Sequence, residues 1–462
     1  MAADPSRRRA LAGVWGVFAV VAGAMALLAV LEWSEALASG RPILYGEGPV
    51  AHAAALMRTG AAYRDATGAV AANYPPLYLI VASLGDPFRV GRAVTIASTV
   101  AVSLVIAWRA RGAGPLAAVG LGLGWIALAP VAIWGAAIKP DLFAVALTLG
   151  GVAALERSRG RSALVAGALL ALGVWAKPTA LLPAAAVLAW CALTDRATFA
   201  RAAAGFGGVA AVAALHALAL GPGDVWRHVV AWNVLPWSAE QTALVLVLGV
   251  ATVGIVLAVA AMSGALNGIA LAYVVGALAV VLLAGREGAT INYLLDLAAA
   301  ISYALASAAA RVRLSAALPV GGMVQLALAV ALLTPFGIVP GRAPTTGAWG
   351  QPERGEVVHA LGPGRHLVED SGLLVADGRE PAIDDLFLWS RLARAGAIDP
   401  APVIADARRG AFASVVSEAD LAALDRAPAY ERARWDPALV AAILERYVLD
   451  RATGALWVYR PR

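Results

Sequence analysis

The stretch SALVAGALLALGVWAKPTALLPAAAVLAWCAL, residues 162–193, is apolar apart from one charged side chain, Lys177, which Pro178 follows. One helix through this stretch would cross a membrane once, whereas two helices with a break at the lysine would cross it twice. A proline removes a backbone donor and clashes with the preceding turn, and a charge inside a bilayer is costly. The sequence therefore predicts a break at Lys177 and two crossings.

The composition of the chain changes sharply along its length. The 462 residues are 61% apolar and 14% charged, whereas a soluble protein has about 45–50% apolar and about 25% charged residues. Charges between residues 10 and 335 cluster in short gaps between apolar runs, and the composition after Arg342 is typical of a soluble domain. This contrast predicts a transmembrane domain over residues 1–342 and a soluble domain over residues 343–462.

Two broad alternatives are disfavoured by the residue inventory. The formal charge of +6 comes largely from arginines at the ends of apolar runs, so a nucleic-acid partner is not expected. The single cysteine, Cys191, excludes an intrachain disulfide framework and a cysteine-based zinc site. The basic start followed by an apolar run, without a cleavage pattern, predicts an uncleaved first helix.

The positions of the arginines predict the topology. The apolar runs are 10–31, 92–108, 115–134, 141–155, 163–176, 178–193, 202–220, 241–262, 265–284, 293–309 and 314–334. Eleven crossings with a cytoplasmic N-terminus place most basic loops inside, as the positive-inside rule requires. Those inner residues are Arg7, Arg8, Arg9, Arg109, Arg111, Arg157, Arg159, Arg161, Arg196, Arg201, Arg311 and Arg313. The odd number of crossings puts the C-terminal domain on the extracytoplasmic side.

Two of the outer turns are expected to lie below the membrane surface. A helix of 14 residues rises only about 21 Å, against a hydrocarbon core of about 30 Å. The turns AKPT (176–179) and AAIKPDLF (136–143) join such short helices. Irregular backbone at that depth requires surrounding protein or a water-filled cavity. We therefore expect a polar cavity with Lys139, Asp141 and Lys177 on its wall.

The other outer loops carry mixed charges, aromatic residues and histidines. The first outer loop, residues 32–91, includes YGEGPVAHAAALMRTGAAYRD (45–65) and runs into NYPPLYLIVASLGDPFRVGR (73–92), and its short apolar segment after the prolines suits an interfacial helix. GPGDVWRHVVAWNVLPWSAEQ (221–241) and GREGATINYLLDLAAA (285–300) are later outer loops. The polar residues singled out in these loops are Glu47, His52, Tyr74, Arg227, His228, Arg286, Asn292, Tyr293 and Asp296.

The order of these motifs resembles a known family. An acidic residue in a long first outer loop, then YPPLY (74–78), GR (91–92), KPD (139–141) and KPT (177–179), is similar to integral-membrane glycosyltransferases of the GT-C fold. The most similar group is the bacterial family 39 dolichyl-phosphate-mannosyltransferase-like proteins and the related lipopolysaccharide glycosyltransferases. INYLLDLAAAIS (291–302) and VEDSGLLVADGREPAIDDLF (368–387) also resemble stretches of that group.

The resemblance implies a fold and an activity. The fold is an all-α polytopic bundle of about 11 transmembrane helices with a small C-terminal extracytoplasmic α/β domain. The activity is transfer of a sugar from a polyprenyl-phosphate donor, in the bacterial inner membrane, to a glycan, lipid or protein acceptor on the extracytoplasmic side. Glu47 matches the catalytic carboxylate of the family. Many members have an Asp or an Asp-Glu pair there, whereas the Gly-Glu-Gly sequence lacks the second acid of a paired metal site. The sequence therefore allows a divalent metal but does not require one.

The residues also fit this chemistry by themselves. An acceptor hydroxyl that attacks the anomeric carbon needs a general base, and Glu47 can serve in a displacement with inversion. The leaving phosphate needs cations nearby. The candidates for binding substrate or phosphate are Lys139, Asp141, Lys177, Arg227, His228, Arg286, Asn292 and Tyr293. The residues expected to support them without touching the substrate are His52, Tyr74 and Asp296.

Simpler interpretations exist for several of these residues, and His52 and Tyr74 fit ordinary loop residues. Glu47 fits a solvated loop acid, Lys177 a lysine that extends to the interface, and Asp141 a partner of Lys139. His228 fits an interfacial histidine beside tryptophan. GLGLGW (120–125) is helix packing rather than a dinucleotide motif, because it has no flanking strand.

The alternative functions are a transporter or lipid flippase, which predicts pseudo-symmetric halves, and a non-catalytic assembly scaffold.

The soluble part is predicted to alternate strands and helices. The expected strands are HLVED (366–370), GLLVA (372–376), FASVVS (412–417) and ALWVYR (455–460). The expected helices are LFLWSRLARAGA (386–397) and PALVAAILERYV (437–448). We expect a cover over the cavity or an acceptor-recognition surface.

Overall fold

The computed structural model describes residues 5–156, 161–311, 316–336, 352–453 and 456–462. The predicted boundary at 342/343 and the predicted inner residues Arg157, Arg159 and Arg313 lie outside these ranges. Most of the described chain is helical, and a small sheet lies near the C-terminus. The predicted helical architecture with a small C-terminal sheet is therefore confirmed.

The helices before residue 340 contain the apolar runs. They are α1 Pro5–Ser39, α2 Glu47–Met57, α3 Pro76–Ala82, α4 Pro87–Ala110, α5 Pro115–Ala127, α6 Ala129–Trp134, α7 Asp141–Glu156, α8 Arg161–Ala176, α9 Leu181–Thr194, α10 Arg196–Leu220, α11 Pro222–Val229, α12 Ala239–Gly249, α13 Ile255–Met262, α14 Gly268–Leu282, α15 Leu295–Arg311 and α16 Ala317–Leu333. Each of the eleven predicted runs contains an α-helix. The first helix continues to Ser39, eight residues beyond its predicted run.

The predicted break at Lys177 is confirmed. Helix α8 ends at Ala176, Lys177 is extended (φ −148°, ψ 123°), and a 3₁₀ turn at Pro178–Ala180 leads into α9. Proline at the start of that turn has no amide hydrogen to donate, so it begins a helix more easily than it continues one.

Six helices in the described part of the chain are long and apolar enough to cross a membrane. They are Arg9–Ser39, Pro87–Ala113, Arg196–Leu220, Ala239–Met262, Gly268–Gly285 and Ile291–Ala309. Four shorter apolar helices are Pro115–Ala127, Ser162–Ala176, Pro178–Thr194 and Ala317–Leu333. The number of eleven crossings stays a prediction, because the short helices do not reach across a bilayer by length alone.

The centre of the bundle is α15, which is almost entirely buried and packs against α4 and α14. Its sequence LDLAAAISYALASAAA (295–310) is rich in alanine and serine, and small residues allow helices in a membrane to approach closely. Helix α8 packs between α7 and α10. Because α7 and α8 are consecutive and packed together, the start of α7 and the end of α8 lie at one end of the bundle.

A π-helical turn, Val250–Gly254, interrupts the predicted run 241–262. Gln325, which is fully buried on α16, accepts a hydrogen bond from the amide of Ile255 at 2.7 Å and donates to the carbonyl of Ala251 at 2.6 Å. The side-chain amide thus satisfies backbone groups that the π turn leaves without their usual partners.

The C-terminal part contains α17 Pro352–His359, β1 His366–Val368, α18 Gly372–Ala376, α19 Leu386–Arg394, α20 Ala401–Arg408, β2 Ser414–Ser417, α21 Ala429–Arg432, α22 Pro437–Arg446, β3 Tyr447–Thr453 and β4 Leu456–Pro461. The sheet order is β1-β2-β4-β3, with β1 parallel to β2 and the other pairs antiparallel. Strands β1, β2 and β4 and helices α19 and α22 confirm the predicted elements.

The structure differs from the prediction at two places in this part. GLLVA forms helix α18 instead of a strand, because so short an apolar run fits either structure and packing against α2 decides it. Strand β3 was not predicted: helix α22 ends at Arg446, before the predicted end at Val448, and the following residues pair with β4.

Candidate functional site

Glu47 is the first residue of α2, and Gly46 before it has a positive φ of 80°. A β-carbon at Gly46 would lie 3.0 Å from Nζ of Lys139. Glycine at this position therefore serves both a left-handed backbone and a close lysine contact. The Glu47 side chain is fully buried, so the simpler interpretation as a solvated loop acid is wrong.

The carboxylate of Glu47 accepts hydrogen bonds at both oxygens. Oε2 accepts from Nη2 of Arg92 at 3.0 Å and from the amides of Ile43 and Leu44 at 2.6 and 3.4 Å. Oε1 accepts from the amide of Ile138 at 2.7 Å. A buried carboxylate needs such donors. In this conformation Glu47 holds together the first outer loop, α4 and the turn before α7.

Arg92 was not predicted as a site residue, although the GR motif contains it. Its guanidinium is fully buried and also donates to the carbonyls of Ala36 and Arg41. Arginine suits this position because its planar fork of donors reaches several acceptors at once. The sequence did contain a signal: Arg92 is a charged residue at the start of the apolar run 92–108, where it needs partners within the protein.

The two lysine turns meet around Asp141. Lys177 Nζ lies 2.6 Å from Oδ1 of Asp141, and the side-chain amide of Asn292 donates to the same oxygen at 2.7 Å. Lys177 also lies over the ring of Tyr293, 5.2 Å from its centroid. The other oxygen of Asp141, Oδ2, is buried and has no hydrogen-bond partner. Asp141 thus pairs with Lys177 and not with Lys139 as the simpler interpretation held.

Lys139 completes this group of residues. Its Nζ donates to the carbonyl of Gly46 at 2.5 Å and lies 5.8 Å from the centroid of the Tyr74 ring. We call Tyr74, Lys139, Asp141, Lys177, Asn292 and Tyr293 the lysine cluster. Lys139 and Lys177 are the only two lysines among the 36 lysine and arginine residues of the chain.

Tyr74 lies among charged groups. Burial raises the pKa of Tyr74, the nearby carboxylate of Asp141 raises it further, and Arg286 acts in the opposite direction. Arg286 donates from Nη1 to the carbonyl of Asn233 at 3.0 Å. The phenol therefore stays protonated and keeps a hydroxyl near the cluster.

Asp296 lies in the first turn of α15, close enough to Lys177 to interact with its charge. It is buried and accepts a hydrogen bond from the hydroxyl of Tyr273 at 3.4 Å. A buried acid within an apolar helix requires a partner or a cavity, and Tyr273 is that partner here.

Three predicted site residues have their contacts outside the lysine cluster. Arg227 is about one third exposed and pairs with Asp224 at 3.1 Å on α11. His228 is buried, with Nε2 2.8 Å from the carbonyl of Asp65 and its ring 4.3 Å from that of Trp232. Burial lowers the pKa of His228, so the neutral imidazole fixes the first outer loop.

The third such residue, His52, pairs with the C-terminal part. Its Nδ1 lies 2.6 Å from Oδ1 of Asp384. Burial favours the neutral imidazole, but the hydrogen bond and charge of Asp384 outweigh it and raise the pKa of His52. Sequence reasoning did not single out Asp384, Asp385 or Tyr45, although IDDLF (383–387) belongs to the stretch that resembles the family.

The described residues contain no group of three or more His, Cys, Asp and Glu side chains placed to hold a metal ion. The lysine cluster instead combines two ammonium groups, one carboxylate and neutral donors. Such a site can hold an anionic group and leave one carboxylate oxygen, Oδ2 of Asp141, for a hydroxyl or an ammonium donor.

The chain matches no known family model and no curated protein. Its fold is similar to two crystal structures of ArnT from Cupriavidus metallidurans. The structure of ArnT bound to undecaprenyl phosphate has a TM-score of 0.58 and 12% identity, and the match covers 94% of this chain and 97% of that one. The apo structure has a TM-score of 0.60 and 12% identity, with 94% and 96% covered. ArnT is a glycosyltransferase of the GT-C fold, and the likeness gives this chain the same fold.

Proposed function

We propose that the protein is an inner-membrane glycosyltransferase that uses a polyprenyl-phosphate-linked sugar. The acceptor is a hydroxyl of a glycan, lipid or protein on the extracytoplasmic side, where the arginine distribution puts the C-terminal domain, residues 343–462. Support comes from the GT-C fold likeness, from the undecaprenyl phosphate bound to ArnT, and from motifs that resemble glycosyltransferase family 39.

The observation that carries the proposal is that both lysines of the chain belong to the lysine cluster. The other 34 basic residues of the chain are arginines, so arginine is its default cation. Lysine supplies a compact, strongly charged ammonium that fits a small polar site, whereas arginine needs room for its planar fork. Lys177 is buried and Lys139 is half-buried, and both belong to the lysine cluster beside the first outer loop, where two ammonium groups can bind one phosphate.

The reaction follows from this arrangement. The acceptor oxygen attacks the anomeric carbon, the bond from that carbon to the phosphate oxygen breaks, and polyprenyl phosphate leaves with the electron pair. Lys139 and Lys177 stabilise the charge that develops on the phosphate. A carboxylate takes the hydroxyl proton, and direct displacement inverts the anomeric configuration.

Two carboxylates are candidates for that base. The family resemblance assigns the role to Glu47, which must then exchange a hydrogen bond from Ile138 or Arg92 for one from the acceptor. The contacts favour Asp141, because its Oδ2 has no partner while Lys177 and Asn292 hold Oδ1. In that case Glu47 positions the loop, and Asp141 receives the proton.

The test uses purified full-length protein in nanodiscs with a radiolabelled polyprenyl-phosphate sugar and an extract of envelope lipids. Wild type should transfer label, and Lys177→Arg and Lys139→Arg should each lower transfer by about 10²-fold, the usual loss when one group that stabilises developing charge is displaced. Arg408→Gln is the control, because Arg408 is 59% exposed at its side chain and lies on the C-terminal surface. Equal activity of the Lys→Arg variants and wild type would refute the requirement for a compact ammonium at these two positions.

The base is assigned by Asp141→Asn. General base catalysis contributes about 10²–10⁴-fold, so this variant should lose that factor in kcat while it still binds the donor. Retained kcat would return the role to Glu47. Donor movement between leaflets without sugar transfer would favour the flippase alternative.

A further inference from the structure

Three consecutive residues of the first outer loop are held from three directions. Lys139 binds the carbonyl of Gly46, and Arg92 binds the carboxylate of Glu47. Tyr45 is held by the C-terminal part, 340 positions away in sequence. Through Tyr45, the C-terminal part therefore contacts the first outer loop two residues before Glu47.

The contacts of Tyr45 involve both its hydroxyl and its ring. The hydroxyl donates to Oδ1 of Asp385 at 3.4 Å and accepts from the amide of Phe387 at 3.1 Å. The guanidinium of Arg434 lies 4.0 Å from the ring centroid. Burial raises the pKa of Tyr45, so the phenol keeps the proton that it donates.

Arg434 is itself fixed in place. Its Nη1 lies 2.9 Å from Oε1 of Glu369 and 2.7 Å from Oε2 of Glu418, and all three side chains are buried. A buried guanidinium that donates to two acidic side chains has little rotamer freedom, and it forms a rigid surface for the tyrosine ring.

Helix α2 itself packs closely against the C-terminal part. A β-carbon at Gly48 would lie 2.2 Å from the amide nitrogen of Gly372, which leaves no room for any side chain. His52, one turn further along the same helix face, pairs with Asp384. The contacts at 45, 48 and 52 therefore form one continuous interface on either side of Glu47.

We propose that Tyr45 is a positioning residue through which the C-terminal part fixes Glu47 and Gly46 against the lysine cluster. The C-terminal part is then required for catalysis and is more than a cover. This inference rests on the proposed transferase function for its kinetic consequence. A displacement of about 1 Å at a reacting group can cost about 10²-fold in rate.

The kinetic test compares two variants at Tyr45 with a control at Tyr430. Tyr45→Phe keeps the ring on Arg434 and removes the hydroxyl, whereas Tyr45→Leu removes both contacts. Tyr430 contacts the same guanidinium at 5.6 Å, but it is 61% exposed. We expect kcat to fall about 10-fold in Tyr45→Phe and about 10²-fold in Tyr45→Leu, with donor KM within about threefold. Tyr430→Leu should stay within about twofold of wild type.

An activity-independent readout separates this inference from the proposed function. Hydrogen exchange of the segment 43–54 in full-length protein should accelerate in Tyr45→Leu and stay at the wild-type rate in Tyr430→Leu. If wild type transferred no sugar, the proposed function would fail, and the exchange result would still decide the positioning role. Unchanged exchange in Tyr45→Leu, or an equal loss of kcat in Tyr430→Leu, would overturn the inference.

Discussion

The replacement Glu47→Gln tests whether the carboxylate holds the first outer loop. An amide offers one acceptor oxygen and one NH₂ group that can only donate, whereas all four groups around Glu47 are donors: Arg92 and the amides of Ile43, Leu44 and Ile138. Either orientation of the glutamine thus leaves at least one buried donor facing an N–H group, and the charge beside the buried Arg92 is lost.

The expected cost follows from these contacts. A buried donor without an acceptor costs about 1–3 kcal/mol, and removal of one partner of a buried ion pair costs about 3–5 kcal/mol. Taking about 3 kcal/mol for local opening, and tenfold for each 1.4 kcal/mol, the population of the open loop rises by about 10²-fold.

The assay is hydrogen exchange of two segments, residues 41–50 and 136–143, which contain the donating amides of Ile43 and Ile138. Both should exchange about 10²-fold faster in Glu47→Gln than in wild type. Glu240→Gln is the control, because Glu240 is exposed. Exchange rates within about threefold of wild type in both segments would refute the structural role and leave Glu47 as a base that is free to act.

Further outcomes concern the bundle and the C-terminal part. Gln325→Leu should lower the free energy of unfolding by about 2–4 kcal/mol, because the amide of Ile255 and the carbonyl of Ala251 lose their partner in an apolar interior; an unchanged melting temperature would contradict this. Burial and the charge of Glu369 raise the pKa of Glu418 from 4.5 to about 8. Folding therefore takes up a proton between these values, and stability should fall as the pH rises through that window. Glu418→Gln should flatten this decline in thermal unfolding scans, and an identical pH profile would refute the assignment.

The sequence predicted the elements of the membrane part well because the signals are local. Apolar runs free of charge favour helices, and Lys177 with Pro178 marks a break wherever the chain is placed. The same reasoning put Lys139, Asp141 and Lys177 at one end of the bundle. It failed for GLLVA, because five apolar residues carry no period that separates a helix from a strand.

The sequence by itself determined which residues lie at the ends of helices. It therefore placed the polar group of Lys139, Asp141 and Lys177 at one end of the helix bundle. Only the tertiary structure decided the partners of these residues and of the neighbouring first outer loop. Glu47 is paired with Arg92, Asp141 with Lys177, and Tyr45 with Asp385 and Arg434. The physical reason is that helix periodicity and charge cost act along the chain, whereas a buried ion pair is fixed by distances of about 3 Å between segments that no local pattern relates.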